Sequence, residues 1–300
     1  MTADAIRINE VGLRDGLQSQ PRHLTLDERR RMANSLLETG LRQLEVGSFV
    51  SPKAVPQMAG TDELIASLTL PANVQLSALI PNMKGYELAR AAGIQTVAVV
   101  VSATETMNQK NINMSLEQTL AVAREIILRG RAEGVRVQAY LAVAFECPFE
   151  GPTPRARVLD QAAQLAAWGA HEVVIADTIG AADPAAVRKL TEALVAGHGS
   201  ELIACHFHDT RAMGLANVFA AIESGVRRFD SSVGGLGGCP FAPGAKGNVA
   251  TEDVVMLCEQ MGFSTGVDMR ALLRSVEVVS ELIGSPQGGR AHYWLSNSAA

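Results

Sequence analysis

The sequence predicts an α/β fold: a single (β/α)8 TIM barrel with extra helices at its C-terminal end. Three observations predict it. Short Val- and Ile-rich runs alternate with longer stretches whose apolar residues recur at helical spacing. No linker interrupts the alternation. The competing arrangement, an open doubly wound sheet, needs nucleotide-binding glycines after its first strand. The chain has VGLRDG there and no GxxxxGK(S/T) anywhere.

In order, the predicted strands are IRIN from Ile6, QLEVGSF from Gln43, VQLSALI from Val74 and TVAVVVSA from Thr96. VRVQAYLAV follows from Val135, EVVIADT from Glu172, LIACHFH from Leu202 and RRFDSSVGG from Arg227. Between them lie helical stretches such as LTLDERRRMANSLLETG, SLEQTLAVAREIILRGRAEG and DPAAVRKLTEALVAG, ending in Gly, a helix stop signal. In the first of these, Thr25 stands three residues before Glu28, the spacing of a capping box. The whole chain, 1–300, reads as one catalytic barrel, with about 263–300 as a helical extension packed on it. GSPQGGR, from Gly284, reads as a mobile loop or a helix end.

Composition narrows the partners. With 300 residues, 47% of them hydrophobic, the chain can bury a large core. Charged residues are 19%, aromatics 4% and the net charge is -5, with no basic stripe, so nucleic acid is not an expected partner. No window approaches the about 18 uninterrupted apolar residues of a membrane span, and the N-terminus has neither a signal core nor a transit-peptide composition. The expectation is a cytoplasmic protein without a membrane partner, assembling as a homodimer or higher homo-oligomer. The four cysteines form no CxxC pair, so neither a zinc ribbon nor a redox dithiol is expected.

Barrel enzymes place their chemistry at the C-terminal ends of the strands. At those ends this chain has Arg14 and Asp15 after strand one, Asp177 near the end of strand six, and His206 and His208 at the end of strand seven; Glu45 sits within strand two. Strand alternation points His206 and His208 to one face and Cys205 and Phe207 to the other. Two imidazoles, the Asp15 carboxylate and the Asn248 carbonyl can share one divalent cation. Mixed nitrogen and oxygen ligands without thiolate favour Mg²⁺ or Mn²⁺, with Zn²⁺ as a further fit. Arg14, beside that site, offers a planar cation to an enolate, unless it is only a structural ion pair. Cys239 lies between Gly238 and Pro240 in a glycine-dense loop, where a thiol can move a proton when a lid closes. Cys147, Cys205 and Cys258 read as packing or loop residues.

Together, EVGLRDGLQ, GSFVSPKAVPQM, QKNIN, CPFEG, IADTIG, CHFHDT and GGLGGCPFAPGAKGNVATEDV resemble the hydroxymethylglutaryl-CoA lyase family, from about Asn9 to Gly262. RDG and HxH alone indicate the wider superfamily of metal-dependent lyases and Claisen-type synthases; the GGLGGCP loop is the piece specific to the lyases. The resemblance implies that Asp15, His206, His208 and Asn248 bind the cation. It implies that Arg14 steadies an enolate oxygen, that Cys239 is the general acid/base, and that Glu45 and Asp177 are supporting acids. It also implies an acyl-CoA partner, with Lys53, Lys84 and Asn111 on loops that could meet it. The implied reaction is retro-Claisen cleavage of a 3-hydroxyacyl-CoA, with 3-hydroxy-3-methylglutaryl-CoA as first reading and citramalyl-CoA as an alternative.

Four departures from the family pattern stand out: Leu13 where Pro is common, Val46 and Gly47 where two threonines are common, and Met114 where Cys is common. Val46 and Gly47 are expected to face or flank the pocket and so to bear on the acyl group. A Claisen-type condensing synthase shares the metal site but lacks the GGLGGCP loop. A metal-dependent hydrolase usually carries HxH on strand one, and a pure binder needs neither Arg14 nor a proton-transfer thiol.

Overall fold

The computed structural model describes residues 4–238 and 247–298. Eight parallel strands close a barrel: β1 (Arg7–Glu10), β2 (Gln43–Ser48), β3 (Gln75–Leu79), β4 (Thr96–Ser102), β5 (Arg136–Ala142), β6 (Glu172–Asp177), β7 (Ile203–Phe207) and β8 (Arg228–Ser231). Each strand pairs with its sequence neighbours, and β8 closes on β1 with Asn9 beside Asp230. The predicted strand starts fall within one residue of the observed ones. Runs that are apolar on both faces suit parallel strands covered by helices outside and packed side chains inside.

The helices owe their limits to local chemistry. α1 (Leu26–Leu37) starts at the predicted capping box: Thr25 accepts from the Glu28 amide, and the Glu28 carboxylate accepts from the Thr25 amide at 2.8 Å. Ser115 and Gln118 repeat the device at the start of the helix Leu116–Glu133, which Gly134 ends in the left-handed conformation. The core outside the barrel packs Cys205 and Phe207 of β7 among the helices, whereas Ala98, Tyr140, Val174 and Ala204 form a separate cluster inside. That is the alternation expected for CHFH.

Two features stand outside the alternation of strands and helices. CPFEG forms a short antiparallel hairpin, with Cys147 opposite Gly151. Gly284 caps the helix Met269–Ile283, the helix-end reading of GSPQGGR, and the residues beyond it are held by hydrogen bonds. The Gly289 amide donates to Glu252 at 2.7 Å, and the amides of Arg290 and Ala291 donate to Asp253 at 2.6 and 3.0 Å. Arg290 also reaches Asp209 at 2.8 Å. No helix among the described residues is long and apolar enough to cross a membrane.

Candidate active site and metal centre

Directly after β1, Gly12–Gly16 form one wide turn, with the Gly16 amide returning to the Val11 carbonyl at 3.2 Å. An i to i+5 turn of this kind is a frequent device at functional sites. It lifts Arg14 and Asp15 onto the mouth of the barrel. The Arg14 guanidinium is buried and held at two points: Nε donates to Glu45 at 2.6 Å and Nη1 to Asp15 at 2.6 Å. Burial alone would weaken its charge, but Glu45 and Asp15 outweigh that and hold it protonated. Burial pushes the Glu45 carboxyl up to about 7 against the pull of Arg14.

Asp15 meets the two histidines. Its Oδ2 accepts from Asn248 Nδ2 at 2.8 Å and lies 3.9 Å from His208 Nε2. The Nε2 atoms of His206 and His208 face each other at 3.1 Å. Ligand atoms of Asp15, His206 and His208 all fall within 4.8 Å of one another. His208 also bridges to Asn248 along the backbone, which brings the amide to the same corner.

The donor set fits a cation on its own evidence. Asn248 Oδ1 and His208 Nδ1 are buried without a hydrogen-bond partner among the described residues. The two opposed imidazole nitrogens, 3.1 Å apart, can be held together either by one shared proton, one ring donating and the other accepting, or by a common cation. Burial, then the neighbouring His206, push His208 down to about 4, so it stays neutral, the form that binds metal. Burial opposes charge on Asp15, but Arg14 and the two histidines hold its carboxyl well below the usual range. A carboxylate oxygen, two imidazole nitrogens and an amide oxygen can hold a divalent cation.

The pattern of candidate residues left Asp230 out. Its Oδ2 lies 3.0 Å from His206 Nδ1 and accepts from the Tyr140 hydroxyl at 2.7 Å, while Oδ1 accepts from Asn9 at 2.9 Å. Burial works against a charged His206 ring, but Asp230, by hydrogen bond and charge, raises its proton affinity. A carboxylate behind a ligating histidine fixes the tautomer and aims the other nitrogen. The signal was present in RRFDSS, where alternation turns Asp230 inward.

A cavity of about 270 Å³ opens beside this cluster. Arg14, Asp15, His206, His208 and Tyr140 line it, together with Asn111 and an apolar wall that includes Val50, Val55, Met107, Ile112 and Met114. Lys53 and Lys84 are exposed and do not line it. Asp177 also stands back from it. Its carboxylate accepts from the Ala181 and Ala182 amides at 2.8 and 3.0 Å, so it braces the turn after β6 rather than facing the cavity. Burial pushes that carboxyl up to about 6.

Val46 and Gly47 also correct an expectation, because neither lines the cavity. Val46 is buried among the helix-facing core residues. The pairing of β2 with β3 shifts register between Glu45 and Gly47. A Cβ on Gly47 would meet Thr61 Oγ1 at 2.4 Å, so this glycine backs onto the packing of α2 (Thr61–Ser67). Cys239 lies outside the described residues. The stems of its loop come together at Gly237 and Gly247, where a Cβ on Gly247 would stand 2.4 Å from the Gly237 carbonyl carbon. Glycines there allow the two backbones to touch.

A closed parallel barrel with a carboxylate–imidazole cluster and a clamped guanidinium at its C-terminal mouth is the architecture of a metal-dependent barrel enzyme. Over residues 5–279 the chain matches the HMGL-like family model, and it belongs to that family. It is a carbon–carbon lyase by that kinship. A Pseudomonas aeruginosa protein named 3-hydroxy-3-isohexenylglutaryl-CoA/hydroxy-methylglutaryl-CoA lyase is 42% identical over 286 residues, 95% of each chain. The hydroxymethylglutaryl-CoA lyase of Pseudomonas mevalonii is 40% identical over 296 residues, 99% of this chain and 98% of that one. The (R)-citramalyl-CoA lyase of Chloroflexus aurantiacus is 38% identical over 293 residues, 94% of this chain and 92% of that one. The crystal structure of hydroxymethylglutaryl-CoA lyase from Pseudomonas aeruginosa superposes with a TM-score of 0.94 at 40% identity, covering 99% of this chain and 100% of that one.

Proposed function

We propose that this chain cleaves 3-hydroxy-3-methylglutaryl-CoA to acetyl-CoA and acetoacetate, with Mg²⁺ or Mn²⁺ held by Asp15, His206, His208 and Asn248. The observation that carries the reading is the convergence of those four side chains beside Arg14, in a chain whose relatives bear that activity in their names. The cation, when bound, supplies Lewis acidity to the hydroxyl and carboxylate oxygens of the substrate.

The chain's own groups do the rest. Asp15 or His206 takes the proton of the 3-hydroxyl. The C2–C3 bond then breaks, its electron pair goes to C2, and C3 becomes the keto carbon of acetoacetate. Arg14, fixed by Glu45 and Asp15, faces the thioester oxygen on which the enolate charge gathers. Cys239 returns a proton to C2 and completes acetyl-CoA. Asp230 and Tyr140 hold His206 in place throughout.

A second reading concerns the acyl group. The cavity wall is apolar at Val55, Ile112 and Met114, and two of the relatives are named for acyl groups other than, or besides, methylglutaryl. Citramalyl-CoA or a glutaryl-CoA with a longer 3-alkyl chain fits the same chemistry. Purified protein with Mg²⁺ is offered each thioester in turn, and products are identified by mass spectrometry. Acetyl-CoA plus acetoacetate at the highest kcat/KM supports the first reading. Faster cleavage of another thioester transfers the assignment. Condensation of acetyl-CoA with 2-oxo acids, without cleavage of any thioester, overturns the lyase.

A further inference from the structure

The barrel has a second cavity, about 560 Å³, at the N-terminal ends of its strands, the end away from the metal cluster. Its lining is unusual for a barrel floor. Strand alternation turns Arg7, Gln43, Gln75, Arg136 and Arg228 to the barrel interior, two residues below Asn9, Glu45, Ser77, Gln138 and Asp230. A floor needed only for stability is filled with branched apolar side chains. Here four arginines, Arg7, Arg42, Arg136 and Arg228, line one space together with His171, and among the described residues no Asp or Glu lines it.

Counter-charges account for part of this. Arg228 pairs with Glu172 at 3.0 Å and with Glu201, and Arg7 reaches Glu201 at 3.7 Å. Arg136 has only the Thr96 hydroxyl, at 3.0 Å from Nε, and Arg42 has no side-chain partner among the described residues. Two carboxylates, Glu172 and Glu201, thus stand against the cations of Arg7, Arg136 and Arg228, with Arg42 a further cationic residue of the lining, so positive charge is in excess there. The His171 ring is shifted in the same sense: burial first, then Arg228, Arg136 and Arg7, lower its affinity for a proton, against Glu201, which raises it. Guanidinium forks match the oxygens of phosphate in pairs. Asn73, Gln43 and Gln75, also in the lining, carry neutral amides able to donate hydrogen bonds. Among the described residues no Phe, Tyr or Trp lines the space to stack a base.

We infer that the floor of the barrel is a binding site for a small, multiply charged phosphorylated compound without a nucleobase, separate from the catalytic mouth. The cavity exceeds the share of about ten waters at roughly 30 Å³ each, which is room for more than a single phosphate.

Inorganic pyrophosphate is the probe, titrated into the Mg²⁺-loaded protein by calorimetry at constant ionic strength. Saturable binding is expected, weakened at least about tenfold in Arg42→Gln/Arg136→Gln, with lyase turnover unchanged. Neither substitution strands a paired carboxylate. Should the double variant fold poorly, Arg42→Gln alone, at an exposed position, is expected to weaken binding about threefold. Equal affinity in wild type and variant would place the anion elsewhere, at the mouth for instance, and overturns the inference. Heats matched by sodium chloride at the same ionic strength overturn it as well.

Discussion

Asp230 Oδ2 lies 3.0 Å from His206 Nδ1, and the opposite nitrogen of that ring faces His208 Nε2 at 3.1 Å. One buried carboxylate thus sets both the tautomer and the aim of a histidine in the Asp15–His206–His208 cluster. Asp230→Asn keeps the shape but can present an amide N–H to Nδ1, which reverses the tautomer. Losses of about 10–100-fold in metal affinity are typical of such changes. The expected outcome is a Mn²⁺ dissociation constant raised by that factor, read by titration. Unchanged affinity would leave Asp230 a purely structural residue.

Removal of metal is the second prediction. Asp15, His206, His208 and Asn248 crowd one corner with buried acceptors left over. A chelator should abolish turnover, and Mg²⁺ or Mn²⁺ should restore it. Mn²⁺ should also raise the unfolding temperature of the apoprotein, because a ligand that binds only the folded state stabilises it. Full turnover in metal-free protein rules out the assignment.

Arg14 supplies the third. Its two carboxylate partners hold the guanidinium plane in one orientation. Arg14→Lys keeps the charge and loses the fork. We expect kcat to fall at least about a hundredfold, with substrate binding changed less, as for an interaction made chiefly in the transition state. A raised KM at unchanged kcat would instead assign Arg14 to uniform binding.

A fourth concerns the cysteines. Cys147, Cys205 and Cys258 are buried, and burial pushes the Cys258 thiol up to about 12 and that of Cys205 higher still. Cys147 accepts from the Thr104 hydroxyl at 3.1 Å. Neither Cys205 nor Cys258 is a ready thiolate. Cys239→Ser should lower kcat by about 10²–10⁴-fold, while the other three Cys→Ser variants keep near wild-type kcat and lose only stability. Near wild-type kcat in Cys239→Ser, with chemistry rate-limiting, would transfer the proton transfer to another group.

Gly47 gives the fifth. Because its missing Cβ points at Thr61 Oγ1, Gly47→Ala overpacks the β2–α2 contact. A loss of about 1–3 kcal/mol in unfolding free energy is expected, with the order of preference among acyl-CoA substrates unchanged. A shift in that order without loss of stability would return Gly47 to the pocket.

Much of the fold was legible in sequence because its signals are local. Alternation along CHFH placed His206 and His208 on one face, and Thr25 with Glu28 marked the start of α1, since each depends on neighbours within one strand or one turn. Arg14, Asp15, His206 and His208 could be picked out as candidates for a related reason: each stands at or just after the end of a strand, whereas Asn248 lies well beyond the last one. Tertiary structure decided the contacts that barrel closure creates. His206 and Asp230 are 24 residues apart, and Arg14 and Glu45 are 31 apart; only the register between strands brings them together. Strict alternation assigns Gly47 to the face of Glu45, but the shift of register after Glu45 turns it toward Thr61. Arg7, Arg136 and Arg228 look in sequence like scattered charges at strand starts. They meet around one cavity because a closed barrel gathers equivalent strand positions into a ring, and periodicity along a chain carries no information about what stands across that ring.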